Sequence, residues 1–221
     1  MQIVTVTPSK RPEFWQYLAE NIVLQKRKPD YSILLIDREE QCPTLDFETY
    51  LRYWNVCPVI IRNPDDNVVS GHLLNICFAA AERLIKTGMI CLLEDDNLYG
   101  ENYLAEAAGA LVVHPDAVII GKLHVRTRWM DGSRPPKYPE VGDPENPGLG
   151  LGGGTISMNV EGYRKYPSIR FDENDPYGDV SIMKAFFAEG LKVRYTSEEN
   201  FWYQRWGKEH GHLWKCGDMF A

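Results

Sequence analysis

The residues best suited to chemistry are three consecutive acids, Glu94, Asp95 and Asp96, which follow the apolar run Ile90–Leu93. A short apolar run of this kind predicts a buried strand of a mostly parallel sheet. Ligands of open α/β sheets bind beyond the carboxyl ends of such strands, where these acids would lie. Neighbouring carboxylates repel one another unless a cation sits among them, and hard oxygen ligands suit Mg²⁺ or Mn²⁺ held together with substrate phosphates. The stretch therefore predicts a metal and phosphate site, with a solvated acidic turn or a set of helix caps as the alternative.

Length and composition are those of a globular protein. The chain has 221 residues, of which 44% are hydrophobic and 25% charged, which fits one large domain or two small ones. Its net charge of −7 argues against broad electrostatic binding of nucleic acid or of an anionic membrane. No apolar run approaches the ~20 residues of a membrane span, and the chain opens directly into a predicted strand, so we expect no signal peptide. The five cysteines form no CxxC pair, which favours a reducing, cytoplasmic setting.

Strands alternate with helices over the first half of the chain, which predicts an α/β sheet with helices on both faces. The predicted strands are Gln2–Thr7, Tyr31–Asp37, Val56–Arg62, the run before the acids, Ala117–Leu123 and Lys192–Tyr195. The predicted helices are a segment with Phe14, Leu18, Ile22 and Val23 on one face, then Phe47–Trp54, Ser70–Lys86, Glu101–Val113 and Val180–Glu189. No GxGxxG follows the first strand and no GxxxxGK[ST] occurs, which weighs against a dinucleotide-binding domain and a P-loop.

The segment 124–150 is rich in Pro and Gly and predicts a long loop. We assign several cations and two aromatic residues to this loop, namely Lys122, Arg126, Arg128, Arg134, Lys137, Trp129 and Tyr138. Such a loop is either a polar surface loop or a lid that brings positive charge to phosphates, and the lid is the favoured interpretation. The following Gly152-Gly153-Gly154 would let the backbone approach a ligand closely.

The order of these segments resembles the family 2 glycosyltransferases of GT-A fold. The resemblance is carried by TPSKRPEF after the first strand, the strand ending in Asp37, the helix start from Gly71 to Asn75, then LLEDDN, GGGTISM, and FDEND…GD before a helix. It covers nearly the whole chain. It implies a Rossmann-like mixed sheet flanked by helices in one GT-A domain, residues 1–221. Residues 1–123 would form the nucleotide-sugar-binding half, and residues 124–221 the acceptor half with its long loop, 124–150.

Position by position, the resemblance implies a donor site. Thr7 and Pro8 would line the nucleoside pocket with Asp37, which would touch the base. Glu94 to Asp96 would be the DxD motif, with Asp96 holding the Mn²⁺ or Mg²⁺ that bridges the two donor phosphates. The further substrate-binding candidates are Arg11, Asn75, Asp95, Arg126, Arg128, Gly153 and Gly154.

The resemblance also implies the catalytic residue. Asp179 matches the family's acidic residue, which in inverting members is the general base. His210 or His212 would complete the metal site with Glu94 and Asp96, as a C-terminal histidine does in some GT-A enzymes. The sequence departs from the family pattern at Glu94 in place of Asp, at Leu74 in place of Arg, and at Gly178 in place of Glu.

The function implied is metal-dependent transfer of a sugar from a nucleotide-diphosphate sugar, with a UDP-sugar as the expected donor, to an acceptor hydroxyl. The acceptor is a glycan by default. A hydroxymethylated base of viral DNA is the second possibility, since a basic, aromatic loop is able to follow a phosphate backbone. The expected setting is a bacterial cytosol or a phage- or virus-infected host cell. The alternatives are a sugar nucleotidyltransferase, although TPSKRPEF lacks the glycine-rich loop of those enzymes, and a non-catalytic nucleotide- or sugar-binding module.

Overall fold

The computed structural model describes residues 1–37, 44–64, 69–122, 124–129, 140–141, 153–174, 178–191, 193–196 and 201–205. The strands are β1 Gln2–Ser9, β2 Tyr31–Ile36, β3 Cys57–Arg62, β4 Gly88–Leu92, β5 Leu98–Tyr99, β6 Ile119–Lys122, β7 His124–Trp129, β8 Glu140–Val141, β9 Ser157–Asn159, β10 Arg194–Thr196 and β11 Phe201–Arg205. The helices are α1 Trp15–Val23, α2 Leu45–Tyr53, α3 Ser70–Leu84, α4 Tyr103–Val113, α5 Val160–Lys165 and α6 Gly178–Ala188.

Seven of the described strands form the main sheet, in the order β10-β6-β9-β4-β1-β2-β3. β9 runs antiparallel to β4 and β6, and the other neighbouring pairs are parallel. β1 lies between β2 and β4, with Thr5 opposite Ser32 on one side and Cys91 on the other. The carboxyl ends of these three strands therefore meet at one edge of the sheet.

Helices cover both faces of this sheet, as the alternation of strands and helices predicts. On one face, α1, α2 and α4 bury residues such as Leu18, Leu51 and Leu104. On the other, α3, α5 and α6 bury residues such as Phe78 and Phe186. The mixed α/β fold class predicted from the sequence is confirmed. Among the described helices, none combines the length and apolar character needed to cross a bilayer.

Pro8 lies inside β1, which extends two residues beyond its predicted end at Thr7. A proline lacks the backbone N–H that a neighbouring strand would accept, and within sheets it is usually confined to edge strands. The pairing of β1 with β4 ends at Val6 opposite Leu92, whereas its pairing with β2 continues to Ser9 opposite Ile36. Pro8 thus sits where only one neighbour remains, and the strand carries Ser9 to the edge where β2 and β4 end.

The prediction of a continuous loop over 124–150 is wrong at its start. His124–Trp129 is β7, and Glu140–Val141 is β8, which pairs with it. β7 also pairs in parallel with β11, which pairs antiparallel with β5, so the order of this second sheet is β5-β11-β7-β8. Val125, Thr127 and Trp129 have high β propensity, and the Pro and Gly content of the whole segment concealed it. The remaining residues of the predicted lid lie outside the described part.

Two further predictions need correction. Lys122 does not belong to a surface loop, since it ends β6, is 2% exposed and pairs with Glu106 at 2.5 Å. Its buried charge is compensated by this carboxylate and by the ring of Tyr103, whose centroid is 5.2 Å from Nζ. The last predicted helix begins at Gly178 instead of Val180, so Asp179 lies in the first turn of α6 and does not precede the helix.

Gly88 and Gly109 give a matched test of the backbone. Gly88 has φ of +122°, and a Cβ there would lie 2.1 Å from the carbonyl oxygen of Gln2, its partner on β1. We expect Gly88→Ala to lower the free energy of unfolding by about 2–6 kcal/mol, from backbone strain and overpacking. At Gly109, in α4, an added Cβ would meet no atom within 4 Å, and Gly109→Ala should raise the free energy of unfolding by about 0.5–1 kcal/mol. Urea denaturation measures both, and equal effects would contradict this account.

Candidate active site

Ser9 makes hydrogen bonds to several of the groups that lie where β1, β2 and β4 end. Its carbonyl accepts a hydrogen bond from the backbone N–H of Asp37 at 3.0 Å, which joins the ends of β1 and β2. Its hydroxyl donates to Oδ2 of Asp95 at 2.5 Å and accepts from the indole Nε1 of Trp15 at 2.9 Å. The side-chain amide of Asn63, after β3, donates to the Asp37 carbonyl at 3.4 Å. The last residue of β1 and residues that follow β2, β3 and β4 are thereby held together.

Arg11 forms ion pairs with Asp95 and Asp96, the two aspartates that follow β4. Its Nη1 donates to Oδ2 of Asp96 at 2.7 Å, its Nη2 donates to Oδ1 of Asp95, and its Nε donates to Oδ2 of Asp95 at 3.4 Å. Asp95 and Asp96 are only 2% and 3% exposed. The sequence predicts that a cation must sit among these acids, and the guanidinium of Arg11 provides such a charge.

Burial and charge act in opposite directions on this cluster. Burial raises the pKa of the Asp95 carboxyl, whereas the Arg11 guanidinium and the Ser9 hydroxyl stabilise its ionised form. Burial would lower the pKa of Arg11, but the charges of Asp95 and Asp96 outweigh it, and the pKa of Arg11 lies above its ordinary value. Arg11 therefore stays charged and remains a strong hydrogen-bond donor to both acids.

Two buried tyrosines hold the third acid and the glycine-rich segment in place. The backbone N–H of Glu94 donates to the Tyr99 hydroxyl at 2.8 Å, and the Tyr103 hydroxyl donates to the carbonyl of Gly154 at 2.8 Å. Burial raises the pKa of both phenols, so both stay protonated. The Glu94 carboxylate accepts a hydrogen bond from the side chain of Asn97.

Gly154 lies directly against the acidic segment. A Cβ at this position would be 2.6 Å from the Tyr99 hydroxyl and 3.0 Å from Oε2 of Glu94. The residue is therefore a glycine because the backbone of the 3₁₀ turn Gly153–Thr155 approaches these side chains too closely for a larger residue. Both glycines predicted to lie beside the substrate are in this turn.

Other predicted site residues have structural partners. The Thr7 hydroxyl donates to the carbonyl of Leu93 at 2.7 Å and so joins the end of β1 to the start of the acidic segment. The Asn75 side chain, in α3, donates to the carbonyl of Phe171 at 2.9 Å and accepts from its N–H at 3.2 Å. These bonds give the Asn75 amide a role in joining α3 to the segment before α6, and its binding of substrate stays a prediction.

The remaining predicted residues are placed only in part. Arg126 and Arg128 occupy β7, opposite Trp202 and Gln204 of β11, and β11 also pairs with β5, which follows the acids. Their side chains, and that of Asp179, are outside the described part of the chain. His210 and His212 also lie outside the described residues. Within those residues, no three His, Cys, Asp or Glu side chains are arranged to hold a metal ion together.

Sequence reasoning missed four residues of this site, namely Ser9, Asn97, Tyr99 and Tyr103. A signal for Ser9 exists, because a hydroxyl two residues after the predicted end of β1 must lie near the end of the neighbouring strand. The tyrosines carry no such signal, since Tyr99 lies in the short strand β5 and Tyr103 in α4, and buried aromatic residues in such elements usually belong to the core.

Comparison with known proteins supports the fold. No protein family model and no curated protein matches the sequence. The structure is similar to Staphylococcus aureus TarS 1-349 in complex with UDP-GlcNAc, with a TM-score of 0.68 and 15% identity over 97% of this chain and 62% of that one. It is also similar to the mannosyltransferase PcManGT from Pyrobaculum calidifontis in complex with GDP-Man and Mn²⁺, with a TM-score of 0.62 and 11% identity over 91% of this chain and 56% of that one. The chain spans about three fifths of the length of these structures and shares their fold.

Tyr103→Phe tests the contact between α4 and the glycine-rich turn. The variant leaves the buried carbonyl of Gly154 without this donor, so we expect the free energy of unfolding to fall by about 1–3 kcal/mol. Tyr53→Phe, at a position that is 78% exposed, is the matched control and should change it by less than about 0.5 kcal/mol. Thermal and urea unfolding measure both variants. A loss at Tyr103 no greater than that at Tyr53 would show that this hydrogen bond does not stabilise the site.

Proposed function

We propose that the protein is a glycosyltransferase that moves a sugar from a nucleotide-diphosphate sugar to an acceptor hydroxyl. The observation that carries the proposal is the gathering of Arg11, Asp37, Asp95 and Asp96 at the carboxyl ends of β1, β2 and β4. Such an edge is where open α/β sheets bind their ligands. Structures of the same fold bind UDP-GlcNAc, and GDP-Man with Mn²⁺, which supports a nucleotide sugar as the ligand. The order of motifs supports membership of the family 2 enzymes within this fold.

A divalent cation, Mn²⁺ or Mg²⁺, fits this site with Asp96 as its ligand. Such a cation is commonly held by one or two carboxylates together with substrate phosphates, so three protein donors are not required. The buried carboxylate of Asp96 already lies against the positive charge of Arg11, which supports a place for a cation beside this acid. When bound, the metal would neutralise negative charge on the departing diphosphate. Glu94, His210 and His212 are the further candidate ligands.

The nucleoside would lie across the ends of β1 and β2. Asp37 is 8% exposed, and its backbone is held by Ser9 and Asn63, which places the residue where a base or ribose would bind. Thr7 and Pro8 would form the floor of this pocket. Arg126 and Arg128 are the candidate cations for the phosphates, and Gly153 and Gly154 would lie beside the donor sugar.

Asp179 is the proposed general base. A carboxylate in the first turn of α6 is stabilised in its ionised form by the helix dipole, so it is a weak base that is always available. It would accept the acceptor hydroxyl's proton late in a transfer that inverts the anomeric centre. The default acceptor is a glycan, because the net charge of −7 opposes DNA.

Calorimetric titration with UDP, GDP, CDP and dTDP, first with Mn²⁺ and then with EDTA, tests the donor site. We expect one nucleotide, which we propose is UDP, to bind in the presence of Mn²⁺. This binding should disappear when EDTA removes the metal. Asp96→Ala should weaken this binding at least about tenfold, or ~1.4 kcal/mol, because the metal loses its carboxylate. Asp116→Ala is the control, because it removes an exposed acid on the turn after α4. This variant should bind the nucleotide as the unaltered protein does.

Asp179→Asn separates binding from transfer when the same titration is combined with an assay of nucleoside diphosphate release. The variant should bind the nucleotide normally, yet release no nucleoside diphosphate from the sugar nucleotide when acceptor is present. Binding of no nucleotide by the unaltered protein would favour the non-catalytic module. Unchanged turnover by Asp179→Asn would place the base elsewhere.

A further inference from the structure

The guanidinium of Arg11 is shared unequally between its two acids. Two of its nitrogens, Nη2 and Nε, bond to Asp95, and one, Nη1, bonds to Asp96. Asp95 also accepts the Ser9 hydroxyl at 2.5 Å. Arg11 therefore makes two hydrogen bonds to Asp95 and one to Asp96.

Other contacts hold Arg11 in this position. Its backbone N–H donates to the Ser9 hydroxyl at 3.2 Å, and its guanidinium carbon lies 5.1 Å from the centroid of the Phe14 ring. The side chain of Arg11 is 20% exposed, whereas those of Asp95 and Asp96 are 2% and 4% exposed. Asp95 is thus bound to Arg11 by two hydrogen bonds, and Asp96 accepts one N–H of Arg11 at the same buried site.

We propose that Arg11 is the resident counter-ion of Asp96 and that a divalent cation must replace its Nη1 there, while Arg11 stays on Asp95. The inference rests on the proposed function for the identity of Asp96 as the metal ligand. Loss of one N–H from Asp96 leaves the bonds between Arg11 and Asp95 in place, so the exchange does not dismantle the cluster. Arg11 is then a positioning residue that sets the affinity of the site for metal. It keeps that affinity low until the donor phosphates arrive with the cation.

Arg11→Met tests this competition, because it removes the charge and retains most of the side chain's length. We expect the variant to bind Mn²⁺, in the absence of nucleotide, about tenfold more tightly than the unaltered protein. Calorimetry and the electron paramagnetic resonance signal of free Mn²⁺ measure this binding directly. The variant should also melt at a lower temperature without metal, because two buried carboxylates lose their counter-ion, and Mn²⁺ should raise its melting temperature more than that of the unaltered protein.

Lys26→Met is the matched control. It removes the same charge from an exposed pair with Glu101, in which the two side chains are 58% and 60% exposed. Its net charge equals that of Arg11→Met, so a general effect of net charge on Mn²⁺ binding would appear in both variants. We expect Lys26→Met to bind Mn²⁺ as the unaltered protein does.

Unchanged or weaker Mn²⁺ binding by Arg11→Met would overturn the proposal, because it would show that Arg11 holds Asp96 ready for the metal instead of competing with it. Failure of both proteins to bind Mn²⁺ would also overturn it. If Arg11→Met does not fold, Arg11→Lys keeps the charge but offers one donor nitrogen in place of the three that Arg11 uses, and it should bind Mn²⁺ more tightly than the unaltered protein. Tighter Mn²⁺ binding without any nucleotide binding would contradict the proposed function and leave this inference standing.

Discussion

The ion pairs of Arg11 with Asp95 and Asp96 are the interaction on which the rest of the site depends. Two adjacent carboxylates are buried here, and such groups are costly to remove from water unless they are paired and hydrogen-bonded. The guanidinium and the Ser9 hydroxyl provide those partners. The ends of β1 and β4 are consequently held in one arrangement, with a cluster of charged side chains where these two strands end.

The sheet explains why these groups meet although they are distant in the chain. Ser9 and Asp95 are 86 residues apart, and the register of β1 with β4 brings them together. Pro8 continues β1 past the end of its pairing with β4, which is what places Ser9 beside the acids. Buried hydrogen bonds stabilise the neighbouring segments. The Tyr103 hydroxyl donates to the carbonyl of Gly154 in the glycine-rich turn, and the Thr7 hydroxyl donates to the carbonyl of Leu93. The sheet, together with Trp15 of α1 and Tyr103 of α4, therefore positions side chains that a loop alone would not hold.

Much of this arrangement could be predicted from the sequence, because it depends on local patterns. The apolar run before Glu94 predicts β4, and the β-branched residues of Gln2–Thr7 predict β1. Parallel strands then place their carboxyl ends at one edge of the sheet. The pairing of Arg11 with the acids could not be predicted in the same way. Several cations follow a strand or lie in a loop, and the sequence does not indicate which of them contacts Asp95 and Asp96. Lys122 illustrates the difficulty, because its partner Glu106 lies on α4 and nothing local indicates that the lysine is buried. The pairing of β7 with β11 was also hidden, since it joins segments more than 70 residues apart and depends on tertiary packing.

The most direct test of this account is a crystal structure of the protein with UDP and Mn²⁺, measured at a wavelength where manganese scatters anomalously. We expect one strong anomalous peak in contact with the Asp96 carboxylate and the diphosphate, with the uracil or ribose beside Asp37. We also expect Arg11 to remain on Asp95. A nucleotide whose diphosphate lies away from Asp96 and Arg11, or a manganese peak at another part of the chain, would contradict the central claim that the ends of β1, β2 and β4 form the donor site.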